Sequence, residues 1–296
     1  MVILNLILSL IFLAILVKSV DYAIKHASRL AKLMKFPEFL VSFFVIALIS
    51  VLPEATIAII SAINGEPGMS LGTLLGSNLV DLTFVFGVVA LFSSRGIDVK
   101  SKILENNFFY LILLLFPLIL GSDGNLSRRD GIILIAFGII FFVKIYFESR
   151  RFRKKYEHNP GNSKIKNKNK HSPIKDLTWL ILSLVVLLIA ASFTVKFSVA
   201  FAHEIKIPAI LIGITILAVG TCLPELVFSI KAVKENKDSL ALGDILGTVV
   251  TDATIILGIV ALISPFNYNT YNLYVTGGAM FLGGFLAMFF MKSEKS

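Results

Sequence analysis

The sequence predicts an all-α polytopic membrane protein made of two inverted-topology repeats of transmembrane helices. Three observations predict it. Of 296 residues, 56% are hydrophobic and 16% charged, with a mean hydropathy of +0.85; a water-soluble domain of this size could not bury so much apolar surface. Apolar runs near the ~20 residues that span a bilayer recur along the chain. Finally, residues 35–54 (KFPEFLVSFFVIALISVLPE) return in altered form at 206–225 (KIPAILIGITILAVGTCLPE).

The apolar runs give about nine crossings, at 2–20, 38–63, 69–92, 107–121, 131–148, 177–200, 208–232, 240–264 and 272–291. The first run has no basic residues ahead of it, and no small-residue cleavage site precedes Lys18, so it reads as a mature helix and not a signal peptide. The second and third runs carry one copy of the repeat, and the seventh and eighth carry the other. The Lys/Asn-rich stretch 149–176 is nearly free of apolar residues and reads as a flexible, solvated tether. The domain division is therefore 1–148 for the first repeat (helices 1–5), 149–176 for a basic cytoplasmic linker and 177–296 for the second repeat (helices 6–9).

A net charge of +9 suggests a nucleic-acid partner until its distribution is read. Lys25, Arg29, Lys32 and Lys35 follow helix 1. Arg95, Lys100 and Lys102 follow helix 3, and the linker after helix 5 holds the densest group, from Arg150 to Lys175. The opposite loops hold only Arg128, Arg129 and Lys206. The positive-inside rule then puts a multi-pass protein in the cell membrane with its N-terminus outside and both the 149–176 loop and the C-terminus in the cytoplasm. The charge records topology, and the partners implied are the lipid bilayer and inorganic cations, with no nucleic acid. Cys222 is the only cysteine, which excludes an intrachain disulfide and reads as a buried core thiol.

The duplication keeps one offset, 171 residues from Glu54 to Glu225, and the register continues from Ser70–Gly87 (SLGTLLGSNLVDLTFVFG) into Ala241–Gly258 (ALGDILGTVVTDATIILG). Five helices separate equivalent points, so the two copies enter the membrane in opposite directions. Inverted repeats of this kind are typical of secondary transporters, with the substrate site near the midplane where the repeats meet. A passive channel and a non-transporting scaffold are the competing readings, and the scaffold leaves matched mid-membrane acids unexplained.

Acids are rare and expensive within a bilayer and usually mark an ion or proton path. Pro53 and Pro224 remove backbone donors, which frees carbonyls one turn earlier, and Glu54 and Glu225 follow at once. Thr73, Ser77 and Asp81 fall on one helical face, as do Asp244, Thr248 and Asp252. Asp244 lies nearer its helix start, where a cap or entrance role competes with ligation. Hard oxygen donors suit Ca²⁺ or Na⁺, and no His/Cys cluster suggests zinc or copper. Gly72, Gly76, Gly243 and Gly247 fit close helix packing. No nucleophile–base set or phosphate loop appears, so the reading is a non-enzyme without a cofactor.

These residues resemble the calcium/cation antiporter superfamily, and sodium/calcium exchangers in particular, whose two inverted repeats carry G-T-S-L-P-E and G-N-x-x-G-S-N segments. Gly220-Thr221-Cys222-Leu223-Pro224-Glu225 is similar to the first motif, Ser50-Val51-Leu52-Pro53-Glu54 matches it more loosely, and Gly76-Ser77-Asn78 matches the second. The resemblance implies a secondary antiporter that exchanges Ca²⁺ against Na⁺ by alternating access, sufficient as a monomer, with H⁺ or K⁺ coupling open. It implies Glu54 and Glu225 as central ligands, hydroxyls from Ser50, Ser77, Thr221 and Thr248, Asp81 and Asp252 at flanking positions, and carbonyls near Ala47 and Ala218. Helices 1 and 6 would move against a core of helices 2, 3, 7 and 8. Val51 and Cys222 stand where the family pattern has serines, Thr73 and Asp244 where it has asparagines, and Asp81 where many members have asparagine. The family usually has ten helices, and nothing in the second half corresponds to helix 5.

Overall fold

The computed structural model describes residues 2–33, 50–93, 108–156, 173–235 and 238–293. Within them run α1 (Val2–Leu33), α2 (Leu52–Ile63), α3 (Pro67–Phe92), α4 (Phe108–Leu120), α5 (Arg128–Tyr156), α6 (Pro173–Glu204), α7 (Ala209–Lys234), α8 (238–263) and α9 (Thr270–Ser293). Two-residue strands β1 (Asn125–Leu126) and β2 (Phe266–Asn267) pair antiparallel. Six of the described helices are long and apolar enough to cross a bilayer, and α2 and α4 are shorter apolar helices. The chain is an all-α, multi-pass membrane protein. Its large apolar side chains face outward, Leu91 at 85% exposure and Ile174 at 77%, because lipid rather than water is the surrounding solvent.

Helix ends depart from the apolar runs in one consistent way. α1 continues from residue 20 to Leu33 because Ala23, His26 and Ala27 stay buried on one face while Lys18 and Lys25 point outward. A run of apolar residues ends where the bilayer does, but hydrogen bonding and an apolar stripe carry the helix on. Likewise α5 extends to Tyr156 and α6 begins at Pro173, so both ends of the expected 149–176 tether are helical. Its middle, 157–172, lies outside the described residues.

The repeat is visible in the backbone. α2 and the second half of α7 (α7b, Leu223–Lys234) are both 12 residues long, each preceded by one residue of turn, Val51 and Cys222. α3 and α8 both widen into a π-helical turn, at Asp81–Val85 and Asp252–Ile256. Every one of these boundaries recurs at the offset that separates Glu54 from Glu225. The inversion shows at the helix ends. Glu66, just after α2, meets His203 at the end of α6 (3.6 Å). At the opposite face Lys234, ending α7, sits 4.9 Å over the Phe92 ring that ends α3. As α2 and α3 run antiparallel, α2 and α7b point opposite ways.

Cross-links between loops agree with an odd number of crossings per repeat. On the Glu66–His203 face, β1 joins β2, and Tyr268 donates to the Gly121 carbonyl at 2.7 Å. Burial and the nearby Asp123 push the Tyr268 phenol above its ordinary range, so it stays a donor. On the other face His26 Nδ1 lies 2.7 Å from Asp176 Oδ1, with Arg29 3.5 Å from the same oxygen.

The core has two main clusters. One joins α2, α3, α4, α5, α8 and α9 through residues such as Leu74, Leu113, Leu134, Val249 and Met280. The other packs α1 on α6 and seats the pair against Ile57, Met69 and Leu217. α1 and α6 also stack Phe12 on Phe193 (4.7 Å) and join Ser9 to Ser198 (2.7 Å).

Candidate ion site

Backbone proximity builds the site. The first half of α7 (α7a, 209–221) lies directly on α3: a Cβ on Gly213 would stand 2.6 Å from the Met69 carbonyl, and one on Gly76 would stand 2.8 Å from the Ala218 methyl. Glycine at these positions lets two helix backbones touch, the packing role expected of Gly72 and Gly76. Ser77 and Asp81 of α3 are thereby set beside Ala218, Thr221 and Glu225 of α7.

Glu54 and Glu225 occupy the first turns of α2 and α7b, directly after the turn residue and the proline. Proline is tolerated there because first-turn N–H groups lack helical partners anyway. Glu54, Asp81, Glu225 and Asp252 are 0% exposed and Asp244 is 2% exposed. Among the described residues, neither oxygen of Glu54, Glu225 or Asp81 has a hydrogen-bond partner, nor has Asp252 Oδ1 or Asp244 Oδ2. Glu225 is in electrostatic contact with Glu54, Asp81 and Asp244, and Asp252 with Glu54 and Asp81. Buried like charges of this kind repel unless a cation or proton neutralises them.

The hydroxyls complete the surroundings. Ser50 donates to Asp244 Oδ1 at 2.9 Å, and Ser77 to the Leu74 carbonyl at 3.1 Å and Asp252 Oδ2 at 3.3 Å. Thr221 adjoins Glu54 and donates to the Ala218 carbonyl at 3.2 Å, while Thr248 Oγ1 is buried and unpartnered. The Ala218 carbonyl also takes the Cys222 N–H at 3.3 Å, so it is not one of the carbonyls a proline sets free. Ala47 lies outside the described residues. Cys222 is buried, as expected for a core thiol, and donates to the Ser77 carbonyl at 3.4 Å.

Two features escaped the sequence reading. Asn78 Nδ2 donates to the Val249 carbonyl at 3.2 Å, its own repeat-mate, so the pseudo-two-fold axis passes between them; the offset itself was the available signal. Thr73, expected on the ligand stripe, turns its hydroxyl back to the Met69 carbonyl at 2.9 Å. Among the described residues, no three His, Cys, Asp or Glu side chains close into a ready-made metal cluster. The buried carboxylates stand among hydroxyl and carbonyl oxygens, a donor set that suits hard ions.

The profile of the family described as Sodium/calcium exchanger protein matches residues 4–147 and 175–294. The chain belongs to the sodium/calcium exchanger family. This exchanger-family chain is 26% identical over 349 aligned positions to the sodium/calcium exchanger MaX1 of Methanosarcina acetivorans, covering 99% of this chain and 93% of that one. It is 27% identical over 263 residues to the inner membrane protein YrbG of Escherichia coli, with 87% and 79% covered. Among solved structures it is similar to the sodium-calcium exchanger NCX_Mj soaked with Na⁺ and Sr²⁺, at a TM-score of 0.65 and 27% identity, with 99% of this chain and 92% of that one covered.

Proposed function

We propose that the protein is a secondary antiporter exchanging Ca²⁺ against Na⁺ by alternating access, with Glu54 and Glu225 as central ion ligands. One observation carries the reading. Two glutamates from oppositely running halves lie fully buried in electrostatic contact, and none of their four oxygens has a hydrogen-bond partner among the described residues. Asp81, Asp252, Ser50, Ser77, Thr221 and Thr248 adjoin them, and Ala47 and Ala218 enter the ligand set on the resemblance alone. Ca²⁺ and the counter-ion compete for the same oxygens, so loading one displaces the other, and that competition is the basis of exchange. No bond of the cargo is made or broken, and the protein acts as no enzyme.

α1 and α6 pack along each other in a cluster that also takes in Ile57, Met69 and Leu217, and this pairing supports their role as the moving element against α2, α3, α7 and α8. The dense basic residues at the Arg150 end support an orientation with the N-terminus outside. H⁺ or K⁺ as counter-ion is a second reading, favoured by the extra acid at Asp81 and the two hydroxyls lost at Val51 and Cys222. Ca²⁺ uptake into proteoliposomes under an imposed Na⁺, K⁺ or pH gradient decides among them. Uptake driven by outward Na⁺ alone is expected; no gradient-driven uptake under any condition overturns the antiporter.

A further inference from the structure

Buried serines and threonines of this fold commonly donate to a carbonyl one turn back in their own helix, as Ser19 does to Leu16 (2.6 Å), Ser183 to Leu180 (2.8 Å) and Thr254 to Val250 (2.6 Å). Ser61 of α2 and Ser229 of α7b do not. Both are 0% exposed, and neither hydroxyl has a hydrogen-bond partner among the described residues. Each shares a helix face with its glutamate: Ser61 follows Glu54 by seven residues, with buried Ala58 between them, and Ser229 follows Glu225 by four. At the α-helical rise these spacings are about 10 Å and about 6 Å. α2 runs on to the Glu66 face and α7b to the Lys234 face, so the two hydroxyls stand on opposite sides of the glutamates.

We propose that Ser61 and Ser229 are waypoints of the transported ion, the first oxygens it meets on leaving the glutamates, one on the way to each face of the membrane. This rests on the exchanger reading above and deepens it. A buried hydroxyl without a partner is a net cost to the resting fold and calls for a reason. Alanine takes each place in the other repeat, since Ala232 is the mate of Ser61 and Ala58 the mate of Ser229. What the hydroxyl adds over a methyl group is a lone pair for a cation that has shed part of its water. Beside Ser229, α7b packs through Ala232 and Val233 against Val85, Val89 and Ile245, and an ion crossing such an apolar layer needs an oxygen on the way. Both hydroxyls are shut off from solvent in this structure, and alternating access opens one at a time.

The test places a cysteine at each position, Ser61→Cys and Ser229→Cys, in protein carrying Cys222→Ala so that no other thiol is present. Membrane vesicles of both orientations, cycling in Na⁺ and Ca²⁺, are treated with a membrane-impermeant thiol reagent. Ser61→Cys is expected to react from the Glu66 face only, and Ser229→Cys from the Lys234 face only. Ser61→Ala and Ser229→Ala are each expected to slow exchange about tenfold, the rate equivalent of one lost contact to a charged group, without lowering the melting temperature. Reaction of either cysteine from the other face or from neither overturns the proposal. So does an unaltered exchange rate in either alanine variant, or a lowered melting temperature, the mark of a merely structural hydroxyl; the alanine variants decide if a cysteine variant does not fold. Absence of gradient-driven Ca²⁺ uptake by the unaltered protein overturns the exchanger reading and this proposal together, whereas normal uptake with any of those results overturns this proposal alone.

Discussion

Gly76→Ala tests whether the α3–α7 backbone contact sets the geometry of the ion site. The added Cβ would stand 2.8 Å from the Ala218 Cβ and the Ile214 Cα and 2.9 Å from the Ile214 carbonyl oxygen. Carbon atoms rest at about 3.5–4.0 Å, so α7a must retreat by roughly 0.7–1.2 Å. Two of the three obstructing atoms are backbone, so no side-chain rotation relieves the clash. Overpacking of this kind costs about 1–3 kcal/mol of stability. The retreat also carries Ala218 and Thr221 away from Ser77, the residue after Gly76. Metal sites tolerate only about ±0.2 Å in ligand distance, and a ~1 Å misplacement is worth about a hundredfold elsewhere. Ca²⁺ affinity should therefore fall about 10- to 100-fold. The control is Gly87→Ala in the same helix, where an added Cβ meets nothing within 4 Å; it should leave affinity unchanged and raise stability by about 0.5–1 kcal/mol. Calorimetric Ca²⁺ titration and thermal melting of the detergent-solubilised variants read both quantities. Unchanged Ca²⁺ affinity in Gly76→Ala, or an equal loss in Gly87→Ala, refutes the argument.

Glu54→Gln and Glu225→Gln should each abolish Ca²⁺ uptake, since on the proposed reading neutralising either half removes a central ligand charge; normal uptake by both variants would remove these residues from the site. His26→Ala strips the 2.7 Å partner from buried Asp176 and leaves Arg29 at 3.5 Å, which should destabilise the α1–α6 pair by about 1–3 kcal/mol in thermal melts. Tyr268→Phe loses one 2.7 Å bond to Gly121 and should cost about 1 kcal/mol with ion affinity intact; altered ion affinity would mean this loop reaches the site.

The residues that bring the halves together were legible because the sequence states them twice. Leu52–Ile63 and Leu223–Lys234 have matching ends, so a motif weak in one copy is anchored by the other. The pairing of Ser50 with Asp244 was not legible, since it joins two different segments of the repeat across the inversion and exists only once the halves are docked. Thr73 shows the limit of spacing arguments. It shares a helical face with Ser77 and Asp81, but a threonine hydroxyl satisfies itself on the preceding turn unless something better is within reach. The π turns at Asp81 and Asp252 have no composition signal, and only their recurrence marks them as part of the design. The end of α1 was underestimated because hydropathy measures the bilayer, whereas helix length follows the buried face of Ala23, His26 and Ala27.

The ladder between Asn125–Leu126 and Phe266–Asn267, reinforced by Tyr268 on Gly121, laces the hairpin after α4 to the one before α9. Peripheral helices of both halves thus form a closed frame. α1 and α6 stand outside that lacing and are riveted to each other at Ser9–Ser198 and His26–Asp176. On the proposed alternating-access reading, this pair would travel as a two-helix shuttle along an apolar seam past Ile57, Met69 and Leu217. Such travel would leave the Ser9–Ser198 and His26–Asp176 links intact but would part His203 of α6 from Glu66.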